Sequence, residues 1–293
     1  RLNRKTRGDR KSVRPVHELG EKPLRFNWQT PILLSKHNQD IFYIGANKLY
    51  RSLNKGDSLV AMSSDLTNGK VAGNVPYGTI TTLSESPLRF GLLYAGTDDG
   101  NIHLSKDGGY SWQQLNQMTT TPPVKKGSRL KTPDSKLRTQ GLWVSRVVAS
   151  QHKEGRVYVS LNGYRFDNFS PYLYMSEDYG NTWKQISNDL PYESLNVIRE
   201  DPKNDSIIYV GTDGGLYVSF DLGNSFMLWN GGMPKSVPVH DIAIQQRENE
   251  IILGTHGRSL YISKLDDVQG LKKDPEWLKK KPKEVKKTDE EED

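Results

Sequence analysis

The 293-residue chain has no cysteine, which excludes disulfides and thiol chemistry. Such a chain suits either a reducing compartment or an extracytoplasmic bacterial protein that avoids free thiols. It also lacks any apolar run near the ~20 residues that a membrane-spanning helix requires. The Gly-x-Ser-x-Gly, His-Glu-x-x-His and phosphate-loop patterns are all missing, so the common hydrolase, zinc-protease and nucleotide signatures are excluded. No cofactor is implied and no metal-ligand series stands out. Asp98, Asp99 and Asp213 lie in Gly-rich turns that a calcium site would also use, but short acidic residues there ordinarily bond their own backbone.

No signal segment is visible, and because the chain opens on Arg1 rather than Met it reads as a mature or truncated product. The net charge of +6 is unevenly placed. Residues 1–15 hold seven Lys/Arg against one Asp, the stretch 117–141 holds six against one, and the tail 271–293 balances eight Lys with eight acidic residues. Everything between is mildly acidic. The basic residues thus belong to a tail and a connector rather than to a folded face interleaved with aromatics, which argues against nucleic-acid binding. Residues 1–22 and 270–293 read as extensions of a folded region spanning 23–269, the second too poor in apolar residues to form a core.

One turn pattern recurs: Ser105-x-Asp107-x-Gly109 ending on Trp112, Ser176-x-Asp178-x-Gly180 ending on Trp183, and Ser219-x-Asp221-x-Gly223 ending on Phe226. Asp and Ser side chains bond the backbone N–H groups of a tight turn, while glycine supplies the positive φ. A decayed copy, Ser52 to Leu59, has Asn54 in place of Asp. The leading serines are 53, 71 and 43 residues apart, and Ser263 follows after 44, a spacing of one four-stranded propeller blade. Short apolar strands such as Phe42-Tyr-Ile44, Val157-Tyr-Val159 and Ile207-Ile-Tyr-Val210 precede each turn. The reading is an all-β propeller of about five four-stranded antiparallel blades. Five is few for one closed ring, so the region is expected to be part of a larger or split propeller.

The turn pattern resembles the Asp-box, or BNR repeat. The order of Asn27–Ser35, Trp143–Ser150, Gly163–Tyr174, Asn196–Pro202, Val239–Asp241 and Gly254–Arg258 is similar to a sortilin-like family of bacterial Asp-box propellers loosely described as BNR-repeat glycosyl hydrolases. That resemblance implies a secreted or envelope-associated propeller. It implies no particular activity, because Asp-boxes occur in hydrolases, receptors and scaffolds alike.

Within a blade of strands A to D, the B–C turns and D–A connectors share one rim, and both extra-long intervals fall there. Insertions concentrated on one rim mark it as the binding face. The candidates are Tyr164, Arg165, Phe166, Asp167, Phe169 and Tyr172 in one B–C loop, with His240, Asp241, His256 and Arg258 nearby. Aromatics with an Arg and an Asp suit a peptide or a sugar; an internal Arg165–Asp167 pair is the competing structural reading. A glycosidase would need two facing carboxylates and a sialidase an arginine trio. Arg25, Arg146, Arg165 and Arg258 are available, yet neither pattern assembles. The expectation is a non-catalytic binding or scaffold propeller with a protein partner, without a nucleic-acid partner or transmembrane segment. A BNR-type glycoside hydrolase or a polysaccharide-binding propeller is the alternative.

Overall fold

In this computed structural model, which describes residues 12–69, 77–117, 137–139, 141–229, 232–234 and 236–271, the chain forms five antiparallel blades. Residues 1–11, most of the basic connector and the tail from 272 on lie outside the described residues. Blade 1 comprises strands Ile32–Leu34, Phe42–Gly45, Leu49–Ser52 and Val60–Ala61. Blade 2 has Ile80–Glu85, Leu93–Thr97, Ile102–Ser105 and Gln113–Gln114; blade 3 has Trp143–Ala149, Val157–Gly163, Asn168–Ser176 and Lys184–Gln185. Blade 4 has Leu195–Glu200, Ile208–Thr212, Leu216–Ser219 and Met227–Trp229. Blade 5 departs from the four-stranded expectation with three strands, Val239–Gln245, Glu250–Thr255 and Leu260–Lys264. No Ser-x-Asp-x-Gly turn follows Ser263, and the chain enters a short helix, Asp266–Leu271, instead of a fourth strand.

Strand B of each blade is sandwiched between its neighbours, which is why it reads as a continuous apolar run. Its tyrosines, Tyr43, Tyr94, Tyr158 and Tyr209, are fully buried. The Tyr43 and Tyr158 hydroxyls donate to Glu85 and Glu200 at the end of strand A in the following blade, at 2.9 and 3.0 Å. Tyr209 donates to Asp201 at 2.7 Å. Burial raises all three phenols well above their ordinary value, so they stay neutral donors.

The recurring turn joins strands C and D and repeats its bonding atom for atom. Gly56, Gly109, Gly180 and Gly223 each donate a backbone N–H to the leading serine at 2.8 Å. Asp107, Asp178 and Asp221 each accept the leading serine hydroxyl, and then both the N–H and the hydroxyl of the Ser or Thr four residues on. Asn54 accepts the equivalent set from Ser52 and Ser58, which accounts for the decayed copy folding like the others. The residue before each glycine, Lys55, Gly108, Tyr179 or Leu222, also has positive φ.

Each turn seats on the blade before it. A Cβ on Gly109 would meet Met62 of blade 1, on Gly180 Leu115 of blade 2, and on Gly223 Ile186 of blade 3, at 3.1, 2.5 and 2.7 Å. Trp112, Trp183 and Phe226 enter the apolar clusters between blades 1 and 2, 2 and 3, and 3 and 4 respectively. In blade 1, the first of the described blades, Gly56 faces Val13, and Leu59 joins Leu24 and Phe26 over Ile44 and Tyr50.

The two ends of the series are uncovered. Among the described residues no apolar cluster combines blade 1 with blade 5. Ile32 and Leu34 on the outer face of blade 1 are 65% and 66% exposed, and Leu260 and Ile262 on that of blade 5 are 66% and 64% exposed.

Two predictions follow from the turn. Gly180 has φ +88° and no room for a Cβ, whereas Gly20 has φ +89° and open space. Gly180→Ala should cost ~2–4 kcal/mol and Gly20→Ala about 1 kcal/mol in denaturant unfolding; equal losses would show that the seat on Leu115 contributes nothing. Hydrogen bonds from the Ser111 hydroxyl and N–H, then from Ser105, hold the Asp107 carboxyl at about 2, against an ordinary 3.8. Its stabilising effect is complete above the unfolded value and is lost as pH falls from ~4 toward 2. Asp107→Asn should flatten the fall in denaturation midpoint across that window, and an unchanged slope would refute the assignment.

Candidate functional site

The inner strands converge on a cavity of about 590 Å³, lined from Gln29–Leu33 in blade 1 to His240 and Asp241 in blade 5. Strand A of blades 2 to 5 carries a register shift near its start, at the second residue in blades 2, 4 and 5 and the third in blade 3, leaving Thr81, Ser145, Asn196 and His240 as extra residues opposite strand B. All four line the cavity. A bulge of this kind re-aims one side chain while the ladder continues; here, one blade after another, it directs a polar group into the mouth where the A strands begin. This is the rim that carries the B–C turns, and Asn162, Tyr164 and Arg165 reach the cavity from one of them.

Around this polar ring stand three guanidiniums and a single carboxylate. Asp241 accepts on Oδ1 from Arg146 at 2.7 Å and from Arg199 at 3.4 Å, and from the backbone N–H of Ile242 at 2.9 Å. Arg199 is fixed by donating Nε to the Ile242 carbonyl at 2.9 Å and Nη1 to the Ile198 carbonyl at 3.0 Å. Burial, and then the adjacent Arg146, push its pKa down to about 10, against the pull of Asp241. Arg165 lies with its guanidinium 3.9 Å from the centre of the Trp143 ring and 4.4 Å from that of Tyr164, a cation–π sandwich.

The sequence-selected residues divide accordingly. Tyr164, Arg165, His240 and Asp241 line the cavity. Phe166 closes a 3-10 turn over Tyr164–Phe166, and Asp167 follows at φ 52°, donating its N–H to the Tyr164 carbonyl at 3.1 Å. Arg165 and Asp167 form no ion pair among the described residues: the turn puts Asp167 in the left-handed region and Arg165 over Trp143, so stacking replaces the expected salt bridge. Tyr172 accepts from Asn168 at 2.9 Å, and Phe169 meets Tyr192 edge-on with ring centres 6.3 Å apart. His256 packs against His240 at 5.1 Å, while Asp241 turns away to the arginines. Arg258 is exposed in the same B–C turn and lies outside the cavity lining.

Asp98 accepts the backbone N–H groups of Tyr77 and Thr79 at 2.8 and 2.9 Å, and Asp99 that of Asn68 at 2.6 Å; both act as turn braces. Asp213 accepts from Asn196 at 2.9 Å. Sequence reasoning missed Arg199, Trp143 and three of the four bulged residues, Thr81, Ser145 and Asn196, while naming His240; it named Arg146 only as one arginine among several. The available signal was position: Thr81, Ser145, Asn196 and His240 each occupy the second or third place of an inner strand.

Burial first, then repulsion from His256, lowers the pKa of His240 below 6.5, while Asp213 opposes this. An NMR titration should place the His240 midpoint below 6.5, and His256→Asn should move it up; no movement would show that the two rings are electrostatically independent.

No protein-family model matches the chain, and a search of curated proteins finds no relative. Solved structures supply the likeness. A GH74 xyloglucanase from Xanthomonas campestris superposes with a TM-score of 0.56 at 16% identity over 82% of this chain and 36% of its own. A GH74 enzyme from Niastella koreensis gives 0.54 at 14% identity, covering 76% and 32%. The extracellular domain assigned to a hybrid two-component system of B. thetaiotaomicron gives 0.51 at 18%, covering 82% and 30%. The chain therefore spans about a third of these neighbours' length, and at such identities the likeness concerns fold alone. By its blades and by its neighbours, this chain is a β-propeller of the architecture that serves both glycoside hydrolases and extracellular sensor domains.

Proposed function

We propose that this propeller is a non-catalytic binding module of an extracytoplasmic protein, and that its mouth-side rim holds a protein partner. The observation that carries this reading is the composition of the cavity: Asp241 is the sole carboxylate among its lining residues, and it is committed to Arg146 and Arg199. Glycoside hydrolysis by a carboxylate pair needs two such groups about 5–10 Å apart across the bond. Beside the cavity, Tyr164, Phe166, Phe169 and Tyr192 are exposed on one rim, with Arg165 held rigid among them. Aromatic side chains with a positioned arginine are what protein interfaces use as binding centres.

A polysaccharide ligand is the second reading. It is favoured by the amide and hydroxyl lining of Gln29, Thr30, Thr81, Ser145, Asn162 and Asn196, and by the occurrence of glycoside hydrolases among the structural neighbours. The sortilin-like, Asp-box identity suggested by the sequence remains part of this proposal, supported by the bonding of the four turns. So does completion of the ring by further blades, supported by the uncovered aliphatic faces of blades 1 and 5.

The test is capture from a native cell envelope by the tagged full chain, alongside binding and hydrolysis assays on polysaccharide. A stoichiometric protein partner, lost at least tenfold on replacing both Tyr164 and Arg165 by alanine, is the expected result. Turnover of any polysaccharide would sink the non-catalytic reading, and capture unaffected by the double substitution would move the interface off this rim.

A further inference from the structure

We propose that the channel mouth is a carboxylate-binding site, in which Arg146, Arg199 and Arg165 receive a carboxylate of the ligand and Asp241 is a built-in competitor occupying the site in the free protein. The inference rests on the reading of the rim as a protein-binding surface and names the group by which the partner is gripped: an acidic side chain or a chain-terminal carboxylate.

Unused bonding capacity comes first. A guanidinium carries five N–H donors. Arg146 places Nη2 on Asp241, yet its Nε is buried and has no hydrogen-bond partner among the described residues. A buried donor left unpaired is costly, and the cost is removed when a second acceptor arrives. Arg165 has no carboxylate partner among the described residues; its guanidinium carbon lies over the Trp143 and Tyr164 rings, contacts that use the face of the cation and no N–H acceptor.

Charge points the same way, with three cations facing one anion across the cavity. Asp241 uses a single oxygen for both arginines, and its side chain is 61% exposed. Such an exposed, one-oxygen contact is a weak hold, and a ligand carboxylate presenting both oxygens to a guanidinium fork makes the stronger bond. Arg199, meanwhile, is clamped by two backbone carbonyls, so little ordering cost remains to be met on binding. Because the protein's own group at this position is a carboxylate, the site is shaped for that geometry.

The experiment is fluorescence anisotropy on the full chain with three labelled probes: hexaglutamate with acetylated and amidated ends, hexa-alanine with a free C-terminal carboxylate, and tetragalacturonate. Binding of either peptide is expected, and which one binds distinguishes a side-chain from a terminal carboxylate. Asp241→Asn should tighten that binding about tenfold and Arg146→Gln weaken it about tenfold. A gain in affinity cannot arise from misfolding, so the first variant keeps the test decisive even where the second disturbs the mouth. Equal affinities for wild type and Asp241→Asn, or no peptide binding by either, overturn the proposal. Binding of tetragalacturonate alone overturns the protein source of the carboxylate. A native partner captured equally by wild type and Arg146→Gln defeats this inference while leaving the binding-module reading intact; absence of any partner, with peptide affinities behaving as described, defeats that reading instead.

Discussion

The fold depends on how the Ser-x-Asp-x-Gly turn seats against the blade that precedes it. An aspartate that takes up the local N–H and hydroxyl donors lets the chain reverse in a few residues, with two consecutive left-handed positions. The glycine inside the reversal lies against Met62, Leu115 or Ile186 at the end of strand D one blade earlier, and the aromatic that follows enters the same seam. Local bonding and long-range packing therefore coincide in one motif. Because the seams between blades 1 and 2, 2 and 3, and 3 and 4 use the same contact, the angle between these blades is set repeatedly by the same geometry, and the inner strands arrive around a common cavity.

Much of this was legible in the sequence because it is periodic. The turn serines, the apolar B strands and the ~44-residue spacing all report one repeated unit, and the rim bearing Tyr164 and Arg165 followed from topology. The binding mouth was less legible for a physical reason. Arg146, Arg199 and Asp241 are far apart in sequence, and each sits in a strand whose neighbours are ordinary core residues. Their pairing depends on how blades 3, 4 and 5 turn about the axis, a tertiary property with no local signature. Arg165 shows the same limit: an acidic residue two positions away suggested a salt bridge, but a short 3-10 turn directed the guanidinium to Trp143 across the blade. The three-stranded form of blade 5 among the described residues was not foreseen: Ser263 keeps the repeat spacing, and the spacing alone does not show that no turn motif follows it.

Polar groups of the blades differ in how fully they are bonded. Glu200 is buried and saturated by Ser150, Gln151, Tyr158 and Arg156, so it ties blade 3 to blade 4 and has no capacity left for a ligand. At the mouth the arrangement is incomplete, with shared acceptors and an unpaired Nε. Buried networks that are complete give rigidity; unpaired buried atoms are not confined to the mouth, since Glu85 Oε2, Tyr94 Oη and Trp183 Nε1 are also without a hydrogen-bond partner among the described residues.

The bulges of the inner strands have a further implication for how such a site changes over time. At Thr81, Ser145, Asn196 and His240 the extra residue stands outside the ladder register, and its side chain bonds or packs sideways instead, Thr81 on the Val144 carbonyl, Ser145 on Ser160, Asn196 on Asp213 and His240 on His256. Each of blades 2 to 5 thereby offers one position at the cavity whose side chain lies outside the ladder. Hydroxyl, amide and imidazole already occupy equivalent places in a single molecule. A propeller built this way carries a small combinatorial alphabet around its axis, and lineages sharing its scaffold are free to diverge in ligand one blade at a time.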